Sequence, residues 1–161
     1  MEYRIYQTID EIIVYYDDEV FLSIKSKHRG GNPVHSFYKN DILILVSSVI
    51  PTPIGKFTRI RYQNLGVQIS WKRKLFRKYL IINGDYYGCK WHHLNFNKKC
   101  VTITRNNEKI GELYIAKSLL SWYFKLFSTP DNYRFEVYKE DNSIIFFSLI
   151  RLLIEFPVLN L

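Results

Sequence analysis

Between Tyr79 and Trp91 the chain reads YLIINGDYYGCKW, two strand-like runs on either side of Asn83-Gly84. Asn-Gly is the preferred pair for a two-residue hairpin because both central residues of that turn need positive φ. The same grammar recurs along most of the sequence. Short alternating segments of about four to eight residues are separated by turn chemistry, and roughly eleven or twelve of them can be marked. They include Glu2 to Ile9, Glu11 to Tyr16, a turn at Asp17-Asp18, Val20 to Lys25, Ile42 to Ile50, KFTRIRY at 56–62, VQISW at 67–71 and FRKYLII at 76–82. A second hairpin is expected in CVTITRNNEKIGELYI, turning at Asn106-Asn107, and further strands at 121–127 and 132–138. HRGGNP at 28–33 reads as a loop, since two glycines and a proline cannot sustain a central strand. PTP at 51–53 is expected to end the strand before it.

Residue choice agrees. Thirteen Tyr, eleven Phe and many Ile and Val suit a pleated, half-buried surface, and 47% hydrophobic content excludes a disordered chain. At 161 residues a single domain is expected over 1–161. Cys89 and Cys100 have no metal-type spacing and read as reduced core residues. No basic and apolar leader opens the chain, so a cytoplasmic protein, peripheral at the membrane, is the expected localisation.

The run Ile144 to Phe156 is interrupted only by Ser148, Arg151 and Glu155. As a helix it would reach about 20 Å at about 1.5 Å per residue, short of a hydrocarbon core of about 30 Å. No transmembrane segment is therefore expected. Ser148, Arg151 and Glu155 share one narrow sector of a helical wheel and apolar residues cover the rest, which predicts a buried helix. Asp141, Asn142 or Ser143 supplies its N-cap and Pro157 its stop. Its polar sector should face a polar wall, a water pocket or the mouth of a barrel.

Together, YLIINGDYYGCKW, CVTITRNNEKIGELYI, NYRFEVYKEDN and SIIFFSLIRLLIEF resemble the tubby C-terminal-like superfamily across about residues 40–156. That group includes tubby-like, LURP-one-related and phospholipid scramblase-like proteins and small bacterial members. The resemblance implies a mainly β fold, a closed antiparallel β-barrel of about 12 strands around a buried hydrophobic C-terminal helix. It also implies a binding role. Eukaryotic tubby domains hold phosphoinositide headgroups, scramblases act on membranes, and some bacterial members resemble immunity proteins. The headgroup motif of the tubby proteins has no counterpart here, and no residue is carried over from it.

The formal charge of +8 points to an anionic partner. The densest basic stretch is WKRKLFRK, where Lys72, Arg73, Lys74, Arg77 and Lys78 are set among Trp71, Leu75 and Phe76. Such interleaving suits an anionic lipid surface, with Trp71 and Phe76 as membrane-contact aromatics; equally, the stretch could be a solvated connection between strands. Arg59 and Arg61 would extend the patch if their strand lay beside it. An acidic protein partner, for instance a toxin neutralised by an immunity protein, is the alternative to lipid. Nucleic acid is disfavoured because the aromatics are spread over every strand. His92 and His93 are adjacent and so diverge on a strand, while a loop separates His28 from His35, so no metal or other cofactor is expected. Asp17, Asp18 and Glu19 could be a carboxylate cluster for acid-base work but read as a solvated turn. No catalytic motif is present, and the expectation is a protein that is not an enzyme.

Overall fold

The computed structural model describes residues 1–7, 11–29, 32–52, 55–74, 77–95, 98–116 and 131–139. These form one antiparallel sheet of twelve strands. In chain order they are β1 (Glu2–Gln7), β2 (Glu11–Tyr16), β3 (Glu19–Arg29), β4 (Asn32–Lys39), β5 (Ile42–Thr52) and β6 (Gly55–Gln63), then β7 (Ile69–Lys74), β8 (Arg77–Ile82), β9 (Asp85–Asn95), β10 (Lys98–Arg105), β11 (Glu108–Ala116) and β12 (Asp131–Val137). Their order across the sheet is β6-β5-β4-β3-β2-β1-β12-β11-β10-β9-β8-β7. Every neighbour is a sequence neighbour except at the β1–β12 join, where Tyr3 stands opposite Phe135 and Ile5 opposite Tyr133. Met1 tightens that join: its ammonium donates to the Val137 carbonyl at 2.9 Å, and the Val137 amide returns a bond to Met1 O at 2.8 Å.

Turn chemistry sets the register. Asp17-Asp18, Asn40-Asp41, Asn83-Gly84 and Asn106-Asn107 each place two consecutive residues at positive φ, the conformation that matches a tight turn to the right-handed twist of its flanking strands. The Asn40-Asp41 turn, and the strand β4 before it, were not expected. The HRGGNP stretch is correspondingly no long loop: β3 continues to Arg29, β4 starts at Asn32, and His28 stands opposite Pro33. Proline is tolerated there because it lies beside the hairpin end. Likewise β5 runs through Pro51 to Thr52 and does not stop at PTP.

The closed barrel around a buried C-terminal helix is corrected. The sheet is open: among the described strands, β6 and β7 each have a single bonded neighbour, β5 and β8 respectively. The described residues contain no helix, and both the expected helix at Ile144 to Phe156 and the expected strand at 121–127 lie outside them.

Although open, the sheet is rolled. Eleven strand spacings would hold β6 and β7 about 53 Å apart in a flat sheet. Yet the bridge between them is short. The Asn64 amide still bonds Ile44 O on β5, and Gln68 already pairs with Asn83 at the β8–β9 turn. Four residue steps span at most about 14 Å, so both edges must approach one another at this end. The inner face carries a continuous core that includes Tyr3, Ile5, Leu22, Phe37, Leu80, Ile103, Leu113 and Phe135, all buried. Each such side chain contributes about 1.5–3 kcal/mol on burial.

A basic, unpaired sheet edge as candidate functional site

Strand order turns a feature of the sequence into a feature of the surface. Residues 42–84, from the start of β5 to the β8–β9 turn, hold eight of the 23 Lys and Arg and none of the 15 Asp and Glu. Elsewhere the chain has fifteen of each, so the whole formal charge of +8 belongs to this segment. It comprises the two edge strands and the strand next to each.

The stretch read as either a patch or a solvated connection is a hairpin. Trp71, Lys72, Arg73 and Lys74 lie on β7 and Arg77 and Lys78 on β8, with Arg73 opposite Lys78 and Lys74 opposite Arg77. Like charges directly opposite across a strand pair are destabilising, and the sequence tolerates two such pairs in succession. Phe76 lies outside the described residues. Arg59 and Arg61 are both exposed on β6, at the other edge. They are therefore not bonded neighbours of the hairpin; only the bridge 64–68 and the roll of the sheet bring the two groups toward each other.

Local geometry differs between the edges. On β6, Val46 pairs with Tyr62 and Ser47 with Ile60, so Arg61 is an extra residue in a β-bulge. Its Nε donates to Ser48 Oγ at 2.9 Å, over a serine that is fully buried. Tyr62 is exposed, contrary to a strict alternation from Lys56 to Tyr62. On β7, pairing with β8 is uninterrupted from Ile69 to Lys74. The exposed Lys72 reaches across β8 to Tyr86, with Nζ 3.4 Å from the hydroxyl and 5.5 Å from the ring centre. Elsewhere several basic side chains have carboxylate partners, Arg4 with Asp18, Arg134 with Glu2 and Glu136, Lys109 with Glu112 and Lys139 with Glu108, while Lys25 and Lys39 lie over the Tyr38 and Phe21 rings. Arg59, Arg61 and Lys72 have none among the described residues.

Other candidates are dispersed. Asp17 and Asp18 form the β2–β3 turn. His92 and His93 are consecutive on β9, and His28 pairs with Pro33, two residue pairs along from the Ser26–His35 pair. No three His, Cys, Asp or Glu residues come together in a metal-binding group among the described residues. Cys89 is a free thiol, and burial pushes it up to about 12, too high for a thiolate at neutral pH.

Two polar groupings escaped the sequence. Ser26, His35 and Ser47 stand opposite one another across β3, β4 and β5 and are buried, with Ser26 Oγ 2.8 Å from His35 Nδ1. Only the pairing register exposes this row. The second surrounds Glu112, which accepts from Lys109 at 2.8 Å, Tyr114 at 2.9 Å and Tyr138 at 2.5 Å. The bonds from Lys109 and Tyr138 hold its carboxyl at about 2, so it keeps its charge and serves no proton transfer at neutral pH.

The chain matches no family model, no curated protein and no solved structure. No helix among the described residues is long and apolar enough to cross a membrane.

Proposed function

We propose that this protein is a non-catalytic binding module that engages an acidic protein partner through the basic strands β6, β7 and β8. One observation carries the proposal: the net charge of the molecule is confined to the strands at and next to its two unpaired edges. Such segregation focuses a positive field, which raises association rates with anionic partners. Anionic lipid headgroups share that chemistry and were the first expectation from the sequence. Unpaired strand edges favour protein, because they present backbone donors and acceptors that another polypeptide can use.

Poly-L-glutamate titrated into the protein, beside sedimentation with acidic and neutral lipid vesicles, tests the proposal. Poly-L-glutamate is expected to bind with an affinity that falls with added salt, and Arg59→Glu with Lys72→Glu should weaken it roughly tenfold or more. Sedimentation with acidic vesicles, in a protein that ignores poly-L-glutamate, would overturn the choice of a protein partner in favour of a membrane surface.

A further inference from the structure

The two edges form a seam, and its chemistry weighs against their pairing. Lys56, Arg59 and Arg61 stand on β6 and Lys72, Arg73 and Lys74 on β7, with no acid on either strand. Eleven antiparallel steps separate the edges, so β6 and β7 themselves run antiparallel and could in principle pair with each other. A tight hairpin at 64–68 would complete the ring. Instead Gly66 at φ +65° lets the bridge bend, and the Gln63 side-chain amide donates to Val67 O at 2.5 Å. That bond pinches the seam at one end, but no backbone ladder continues from it. Three basic residues on each strand and no acid on either add repulsion to any pairing between the two edges.

An occupant that supplies negative charge and a backbone would remove both the repulsion and the unpaired polar groups. We infer that the seam is a docking site for an extended acidic segment of a partner protein, which adds as a strand to the free edge of β7 while its carboxylates face the basic residues of both edges. This rests on the binding role proposed above and specifies how that role is performed. β7 is the edge assigned because its pairing with β8 is regular, whereas the bulge at Arg61 disrupts β6, a device that blunts strand edges. Space agrees. At the bridge end the edges are at most about 14 Å apart, and each strand spacing takes about 4.8 Å, so that bound has room for a single inserted strand between them. Charge on an edge also deters self-association; that purpose alone does not require a segment spanning four strands to be free of acids.

The test uses a peptide of about eight residues alternating Glu and Val, and the same peptide N-methylated at every residue, whose backbone has no N–H on either edge to complete a ladder. The parent peptide is expected to bind and to slow amide exchange on β7, and methylation to weaken binding by about tenfold or more. Equal binding of both peptides, or unchanged exchange on β7, would overturn strand addition while leaving electrostatic recognition of acidic protein standing. Failure of both peptides and of poly-L-glutamate would overturn the binding role as well, and leave the basic edges as a deterrent to pairing.

Discussion

Glu112 shows how charge is handled away from the basic edges. Its side chain is 16% exposed, and two hydroxyls and an ammonium satisfy it. The same carboxylate holds the Tyr138 hydroxyl above its ordinary range. Because the folded carboxyl lies below its ordinary 4.5, at about 2, its stabilisation is fully present above about 4.5 and disappears as pH falls through about 2. Replacing Glu112 by Gln should cost about 1–2 kcal/mol at neutral pH, a modest value because Lys109 and Tyr138 are half exposed and solvent screens the cluster. Urea melts of both proteins across that pH range check this: the gap should narrow as pH falls from 4.5 toward 2, and a constant gap would assign the loss to packing.

Strands are where the sequence was most legible, and the reason is local. Alternation and Asx-rich turns are short-range signals, so Asn83-Gly84, Asn106-Asn107 and Asp17-Asp18 could be placed, and each does hold positive φ. β4 was hidden because Pro33 is a breaker within a strand and permissible beside a hairpin end; residue type alone does not tell the two apart. The bulge at Arg61 was hidden too, since an extra residue leaves the composition of KFTRIRY unchanged and alters only which face Tyr62 takes. Close strand packing sets another limit. A Cβ on Gly111 would lie 2.7 Å from the Glu136 carbonyl oxygen of β12 and 3.0 Å from the Phe135 ring, whereas one on Gly88 would meet mainly the Tyr79 ring, at 3.2 Å. Gly111→Ala should therefore destabilise the protein by about 1–3 kcal/mol and Gly88→Ala by less, because a ring edge can give way and a backbone carbonyl cannot. Thermal melts of the two variants check the order; equal melting temperatures would show that β11 and β12 separate freely at Gly111.

For the molecule as a whole, the sequence left two matters open that only topology decides: whether the ring of strands closes, and whether the basic groups lie together. WKRKLFRK and Arg59 with Arg61 were recognisable as candidates, but each group's place at an edge follows from the β1–β12 join, a pairing between residues far apart in the chain. Patterning is the same for a closed barrel and a rolled open sheet, since inward and outward residues alternate in both. What distinguishes them is the seam between β6 and β7, and the proposed docking of an acidic segment depends on its being unpaired. Backbone NMR of the free protein examines that seam. The account predicts amides of β6 and β7 that exchange quickly on their outer edges, with no interstrand Hα–Hα contacts between Gly55–Gln63 and Ile69–Lys74; a continuous set of such contacts, with both strands as protected as β1 and β12, would contradict it.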